Sequence, residues 1–574
     1  MRKKLWTFLF LSLISVPAMA AVKLQIEGLS GELQRNVRAH LSTIKDDEVA
    51  ANARFKRRVR TGIEDGLKAL GYFDPEIRFE LIPRSAPLRS LLVAHVNPGE
   101  PVRIKAINIE LIGEARQDPA FTELLTTTPK IGSILNQGDF DAFRSRLRSL
   151  ALERGYFKAD LKVSQLKVAT GLHEAFWNIQ FDSGRRYRFG EVTFTGSQIR
   201  ENRLQGLIPF KVGEPYLAAT LAQFNQNLSE TNWYRNIVID PQFAKVGESM
   251  ELPLFVTVTP RAPNNVELGL GFATDIGVRT SMRWRKPWVN ALGHSMETLV
   301  RYSQPEQSVE FGYRIPTKES PLQKFYTLTT AYNAENHNDT NEQSLSASVG
   351  AFWNVSSGWQ RNLTMNVSYS RFEQGLQEHD TFLLYPGVQF ARTRSRGGLM
   401  PYWGDSEVFS INYANTAWLS DIDMLQLQAR STWIRTYASK HRFVARAEAG
   451  WLESSDFDKV PPSLRFFAGG DRSIRGYKYK SISPVDSEGK LTGASRMATG
   501  SLEYQYNFTG NWWGAMFYDT GYATNKFIPE DLKSGVGMGV RWASPLGPVR
   551  FDIAHPLAKG SSGVEIYIAL GPEL

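Results

Sequence analysis

Hydrophobic spacing changes character once along this chain. Up to about residue 260, short alternating runs enclose stretches whose apolar residues recur at helical intervals. After Pro260-Arg261-Ala262-Pro263 the helical spacing stops. From there to the end, apolar and polar residues alternate with period two, as on strands with one apolar face.

The first part contains the same pattern three times: strand, helix, helix, strand, strand. In the first copy, Val22–Ile26 predicts a strand, Leu33–Leu41 and Phe55–Leu70 predict helices, and Ile77–Ile82 and Leu91–Val96 predict strands. In the second, the strand is Val102–Leu111 and the helices are Pro119–Leu125 and Phe140–Leu152, with Phe140, Phe143, Leu147, Leu150 and Ala151 on one face. Strands at Leu161–Val168 and Phe176–Phe181 complete it. The third copy has a strand at Tyr187–Phe194, helices at Arg203–Leu207 and Leu217–Leu228, and strands at Ile237–Phe243 and Leu252–Val258. Gly71-Tyr72-Phe73 and Gly155-Tyr156-Phe157 end the second helix of the first two copies, and Asn232-Trp233-Tyr234 holds that place in the third. A glycine there suits the left-handed residue that closes a helix, and the aromatics suit core packing. Pro98-Gly99-Glu100-Pro101 and Ser183-Gly184 are short connections, which suggests an arm with limited articulation.

The second part reads as a barrel. Leu502, Tyr504 and Tyr506 alternate with Ser501, Glu503 and Gln505; Val536, Met538, Val540 and Trp542 alternate with Gly537, Gly539 and Arg541; Val549, Phe551 and Ile553 alternate with Arg550 and Asp552. Lipid outside and water inside produce that pattern. A soluble sandwich alternates too, but residues 263–574 are too long a run for one sandwich. The run divides into about sixteen strands, an even number as single-chain barrels require. Backbone groups in lipid must be paired, so the strand near Val266–Phe272 should meet the one near Val564–Leu570. That seam reads as weak. Its residues on one side are Val266, Leu268, Gly269 and Gly271, and the glycines add little packing. On the other side Val564, Ile566, Ile568 and Leu570 precede Gly571 and Pro572, too few for the ~9–11 residues of a spanning strand.

Residues 453–497 break the alternation. This stretch is aromatic and punctuated by glycine, with Phe466-Phe467-Ala468-Gly469-Gly470-Asp471-Arg472-Ser473-Ile474-Arg475-Gly476-Tyr477 at its centre. A loop this long inside a compact domain is functional or disordered. Its composition argues for a folded loop inside the barrel lumen.

Composition narrows the function. The chain has no cysteine, which excludes disulfides and thiolate chemistry. Aromatics make up 12% of it, including 21 Tyr and 14 Trp, suited to a membrane–water boundary. Arg2, Lys3 and Lys4 precede the apolar run Leu5–Val16 and the small-residue pattern Ala18-Met19-Ala20, a secretory signal over 1–20. Removing its three positive charges takes the net charge from +9 to +6. That modest basicity suits anionic outer-membrane lipid. No dense basic helix points to nucleic acid. Neither Gly-x-Ser-x-Gly nor His-Glu-x-x-His occurs, and the eight histidines are scattered. His337 and Asp339 lie together in an expected outer loop, but two residues do not make a metal site. No catalytic residue, metal or cofactor is expected.

The repeat order and the Gly-Tyr-Phe ends resemble POTRA modules, the polypeptide-transport-associated domains. An edge strand of such a module can take up an extended client by strand addition. Gly469-Gly470 followed by Arg475-Gly476-Tyr477, with Trp513, Ala515, Phe517 and Asp519 on one face of a later strand, is similar to the loop motif of the BamA/TamA superfamily of outer-membrane assembly factors. The resemblance implies that Arg475 reaches into the lumen and pairs with Asp519 and Glu503 beside Phe517. Three POTRA units (21–100, 101–184 and 185–262) before a sixteen-stranded barrel (263–574) resemble the TamA branch. Ser395-Arg396-Gly397-Gly398-Leu399-Met400-Pro401 and the closing Leu570-Gly571-Pro572-Glu573-Leu574 also resemble it.

That branch implies a Gram-negative outer-membrane subunit that inserts autotransporters and other barrel clients through the lateral seam. It implies a TamB-like periplasm-spanning partner on the first POTRA unit, and a part in phospholipid delivery. The alternative is a passive secretion pore of the two-partner type. Three periplasmic modules and an inserted arginine loop fit the insertase better than a simple pore.

Overall fold

The computed structural model describes residues 22–570, apart from 46–47, 85–89, 274–276, 356, 399, 527, 529–530, 546 and 559–562. The expected signal at 1–20, Leu399, Gly571 and Pro572 lie outside the described residues. The chain divides into two compact units: residues up to 191 with 210–221 and 242–253, and residues 192–209 and 222–241 with 254 onward.

Each repeat is a three-stranded sheet with helices. The first contains β1 (Val22–Glu27), α1 (Gly31–Leu41), α2 (Ala53–Lys68), β2 (Glu76–Ile82) and β3 (Ser90–Asn97). The last strand sits in the middle, parallel to β1 and antiparallel to β2. Asn52 caps α2 by accepting from the Phe55 amide, and Phe55, Val59, Ile63 and Leu67 form its buried stripe. The second repeat is β4 (Arg103–Ile112), α3 (Pro119–Leu125), α4 (Gln137–Glu153), β5 (Asp160–Ala169) and β6 (Glu174–Asp182), with β6 central. Phe140, Phe143, Leu147 and Leu150 of α4 pack in one core with Trp177, Ile179 and Phe181 of β6. Each such side chain contributes about 1.5–3 kcal/mol on burial. The third is β7 (Arg188–Thr195), α5 (Glu201–Leu204), α6 (Ala218–Glu230), β8 (Tyr234–Pro241) and β9 (Glu251–Pro260). The helix expected at Arg203–Leu207 is one α-turn followed by a 3₁₀ turn. Gly206 lies in the 3₁₀ turn, where a Cβ would lie 2.4 Å from the Lys318 carbonyl oxygen.

The Gly-Tyr-Phe ends do more than fill cores. Tyr72 and Tyr156 each donate their amide five residues back, to Leu67 and Ala151, which closes α2 and α4 with Gly71 at φ +90° and Gly155 at φ +83°. The glycine carbonyl then serves the next repeat. Val102 N donates to Gly71 O at 2.8 Å, and Tyr187 N to Gly155 O at 2.9 Å. Tyr156 packs in its own core, whereas Phe157 stacks edge-on against Tyr187, Tyr216 and Phe243. In the third copy Arg261 N donates to Trp233 O at 2.9 Å, and Trp233 Nε1 donates to Gly293 O at 3.1 Å. These aromatics pack against cores as expected, and the motif is in addition a joint.

Asp118 reinforces the second joint. It caps α3 through the Ala120 amide and accepts from Arg154 Nε at 2.6 Å, Tyr156 OH at 3.2 Å and Arg186 Nη1 at 3.5 Å. Arg186 also donates to the Tyr216 carbonyl at 3.1 Å.

The remaining strands form one antiparallel sheet in chain order. They are β10 (Asn265–Ala273), β11 (Gly277–Lys286), β12 (Ser295–Tyr302), β13 (Glu306–Pro316), β14 (Lys324–His337), β15 (Thr340–Asn354), β16 (Gln360–Gln374), β17 (Gln377–Arg396), β18 (Trp403–Ala414), β19 (Met424–Tyr437), β20 (His441–Ser454), β21 (Arg496–Thr509), β22 (Trp512–Thr524), β23 (Lys533–Ser544), β24 (Gly547–Pro556) and β25 (Glu565–Leu570). Strand length rises from 8 residues in β12 to 20 in β17 and falls to 6 in β25. The wall is thus shortest beside the seam. β10 and β25 come within 8 Å between Cα atoms, but among the described residues no ladder joins them. The hydrogen-bonded closure expected of a barrel in lipid is not seen among the described residues. Six residues offer few bonds, and Gly269 and Gly271 offer no side chain to pack.

Two outcomes test the joints. Gly155→Ala puts a Cβ 2.7 Å from that of Tyr216 at a left-handed φ. It should weaken the second joint by more than about 1 kcal/mol, read as faster hydrogen exchange at the Tyr187 amide. Burial pushes the Asp118 carboxyl up, but the Arg154 hydrogen bond and the nearby guanidinium charges outweigh it, so its pKa lies below the ordinary 3.8. A depressed acid stabilises above its unfolded pKa and loses that contribution as pH falls through the folded one. The helical circular dichroism of the repeats should therefore melt at lower temperature below about pH 4, and Asp118→Asn should flatten this acid dependence.

Candidate functional site: the lumenal loop and the barrel seam

The segment between β20 and β21 is a folded element. Phe466 and Ala494 exchange backbone bonds of 2.9 and 2.8 Å, and Ala468 and Ile482 exchange bonds of 2.9 Å. Phe466, Ala468, Ile474 and Ile482 pack in one apolar cluster with the barrel residues Leu383, Met424, Leu452 and Met497. Gly450 of β20 leaves room, since a Cβ there would lie 2.3 Å from the Phe466 ring.

Gly469, Gly470 and Gly476 all have left-handed φ, near +100°. They turn the chain so that Arg475 enters the wall with no exposed surface. Arg475 Nε donates to Asp519 Oδ2 at 2.7 Å, Nη2 to Asp519 Oδ1 at 3.0 Å, and Nη1 to Glu503 Oε2 at 2.7 Å. The guanidinium lies 3.3 Å above the Phe517 ring centre.

Residues that sequence reasoning missed complete the site. Asp552 of β24 accepts from Arg475 Nη1 at 3.3 Å. Arg541 of β23 donates to Glu503 at 2.7 Å and to Asp552 at 2.6 Å, and Arg446 Nη2 stands 3.9 Å from Glu503. Glu503, Asp519 and Asp552 are thus balanced by Arg446, Arg475 and Arg541, a neutral lattice within the wall. Its geometry depends on glycines in β23. A Cβ on Gly535 would meet Arg475 O at 1.9 Å, one on Gly537 would meet the Phe517 ring at 2.3 Å, and one on Gly539 would meet Asp552 Oδ1 at 2.0 Å. The signal was present as small and charged residues on one strand face, but alternation does not say which of them meet.

Tyr567 of β25 also holds the loop. Its hydroxyl donates to Tyr477 O at 2.7 Å and accepts from Gly476 N at 3.0 Å. Arg475-Gly476-Tyr477 therefore touches each of the last five strands. Farther along, Lys480 Nζ reaches Glu335 of β14 at 2.6 Å and Tyr479 OH reaches Glu306 of β13 at 3.3 Å. His337 is the last residue of β14, with Glu306 and Glu335 close enough to share a cation. Lys480 supplies the positive charge there, and Asp339 accepts from the Leu491 amide at 2.8 Å instead. A cavity of about 640 Å³ remains beside the first strands, bordered by Gly269, Gly271, Arg279, Arg301 and Ser344.

On the seam, Val266, Leu268, Leu270 and Phe272 point outward, Leu268 and Leu270 with 80% and 76% of their surface exposed. Ile566, Ile568 and Leu570 face outward on β25, and Tyr567 and Ala569 face inward. Val564 is exposed just before that strand.

The Omp85 superfamily domain matches residues 264–571. The chain belongs to the Omp85 superfamily. Residues 23–98 match the POTRA domain described as TamA domain 1, and residues 187–261 match a POTRA described as a surface antigen variable number repeat. The outer membrane protein assembly factor BamA of Nitratidesulfovibrio vulgaris is 38% identical over 133 residues, which cover 22% of this chain and 17% of that protein. BamA of Neisseria meningitidis serogroup B is 21% identical over 566 residues, which cover 85% of this chain and 69% of that protein. The crystal structure of Haemophilus ducreyi BamA lacking POTRA domains 1–3 shares the fold with a TM-score of 0.68 at 16% identity, over 82% of this chain and 99% of that one. The protein is an outer-membrane barrel with periplasmic POTRA domains. The expected TamA branch is narrower than these matches.

Removing one side of a buried ion pair costs about 3–5 kcal/mol. Arg475→Met should lower the temperature at which the barrel loses its compact gel mobility, while the barrel still folds. Tyr567→Phe removes only the hydroxyl bonds and should cost about 1 kcal/mol in the same assay.

Proposed function

We propose that the protein is a TamA-type insertase, which assists autotransporters and other β-barrel clients into the outer membrane through the β10/β25 seam. The observation that carries this reading is the seam, which no ladder joins among the described residues, with Arg475-Gly476-Tyr477 bound to the strands of its C-terminal lip. A strand edge without a partner is a template for another strand. In lipid such an edge is costly, and pairing with a client hairpin relieves that cost. The wall is shortest at the same place, which thins the apolar barrier a client must cross. No nucleotide or catalytic side chain is required, because client folding supplies the free energy. Three POTRA repeats, and the match of the first to TamA domain 1, support the TamA branch. On this reading a TamB-like periplasm-spanning partner docks on the first POTRA, and the complex also serves phospholipid delivery.

Leu270 and Ile568 both face outward on opposite lips. Cysteines placed there and joined by a bifunctional reagent should stop autotransporter assembly in cells. A locked seam that still assembles clients, while a blocked lumen does not, would support a passive secretion pore instead. Arg475→Ala should impair assembly and leave a folded, heat-modifiable barrel. Normal assembly by that variant would remove the loop from the mechanism.

A further inference from the structure

The tallest part of the wall carries charge on its lipid-facing side. Hairpin turns alternate between the two ends of the barrel. The β11–β12 turn receives Trp233 of the third repeat, so β17 ends and β18 begins at the same, periplasmic end. Phe390 of β17 faces outward, and Arg392, Arg394 and Arg396 follow it on the same face. Opposite these four on β18 stand Phe409, Glu407, Asp405 and Trp403, and Arg435 of β19 stands opposite Trp403. A charge on the lipid face is costly at the bilayer midplane and tolerated near its surface. The change from Phe390 and Phe409 to arginine and tryptophan therefore marks the level where acyl chains give way to headgroups.

These side chains form one ordered cluster. Asp405, 1% exposed, accepts from Arg394 Nε at 2.8 Å and Nη2 at 2.9 Å. Arg435 Nη2 lies 3.6 Å from the same carboxylate and Arg392 Nη2 lies 4.0 Å from it. Arg392 also donates to Glu407 at 3.2 Å. The guanidiniums of Arg394, Arg396 and Arg435 stand 5.5, 5.1 and 4.8 Å from the centre of one ring, that of Trp403. Arg396 has no carboxylate within ion-pair distance among the described residues. Four guanidiniums thus gather about two carboxylates. The two surplus positive charges repel one another until an anion joins them.

We propose that this cluster is a headgroup site for an anionic glycerophospholipid of the periplasmic leaflet. Arg396, Nη1 of Arg394 and the Trp403 ring border the place of the phosphate, and planar guanidinium forks suit its oxygens. Asp405 is a positioning residue: it holds the Arg394 fork and does not touch the lipid. Phe390 and Phe409 continue the face towards the acyl chains. The phosphates of the outer leaflet lie at the far ends of these strands, so the periplasmic position selects phospholipid. β17 and β18 are the eighth and ninth of the sixteen strands, half-way round the sheet from the seam. The bound lipid therefore ties the tall wall to its leaflet and leaves the short wall free of that tie. The site stands whether or not the seam inserts clients.

Native mass spectrometry of the full-length protein in detergent tests the assignment. Added phosphatidylglycerol should give one bound lipid held more tightly than phosphatidylcholine with the same chains. Arg396→Gln leaves Asp405 and Glu407 with their partners. It should weaken phosphatidylglycerol binding about tenfold, the worth of one charge-assisted hydrogen bond, with the gel mobility of the folded barrel unchanged. Arg279→Gln removes the same charge from the lumenal cavity and should leave lipid binding as it is. An equal fall in both variants would trace the effect to net charge and overturn the proposal. Unchanged binding in Arg396→Gln, or equal retention of the two lipids by the unaltered protein, would also overturn it. Displacement of the lipid by inorganic phosphate alone would make the cluster a site for a soluble anion and overturn the lipid assignment.

Discussion

Backbone groups within a bilayer must be paired, and among the described residues no ladder pairs them at one boundary of this barrel. Each unsatisfied group in hydrocarbon costs several kcal/mol, so a lip is tolerable only where strands are short and the lumen can wet them. β25 has six residues and β10 faces a polar cavity. The rest of the structure can be understood as what holds two such lips in place without joining them.

The two lips are held by different parts of the chain. The C-terminal lip is held from inside. A neutral lattice of three carboxylates and three guanidiniums fixes the loop, and Tyr567 extends the hold to the last strand. A buried lattice of this kind is stable only when complete, because each lost partner strands a charge. The N-terminal lip is held from below, where Trp233 and Arg200 of the third repeat bond to Gly293 and Ala291 in the β11–β12 turn. No hydrogen-bonded ladder crosses from one held side to the other among the described residues. What links the two sides is the loop, through Lys480 with Glu335 of β14 and Tyr479 with Glu306 of β13.

The repeats and the barrel were legible in the sequence because their periods differ. Apolar residues at helical spacing in α2 and α4, and alternation in β21, β23 and β24, follow from which face each element buries. The gap in that alternation marked the loop, since a long aromatic segment between strands has to fold onto something. The joints were half visible. Gly-Tyr-Phe showed where helices stop, but the use of its carbonyl and of Phe157 by the next repeat involves residues distant in sequence.

What the sequence determined by itself is the order and type of elements, the weak composition of β10 and β25, and the break in alternation that marks the loop. Local propensity and periodicity act over a few residues, so they are complete in the chain. What only the tertiary structure decided is which lumen-facing residues meet. Asp552, Arg541 and Tyr567 join Arg475 because antiparallel registers set Glu503 opposite Phe517 and Phe517 opposite Gly537, and, two residues along, Gly539 opposite Asp552 and Asp552 opposite Tyr567. Register is a property of paired strands, set by every turn between them. No window of sequence contains it.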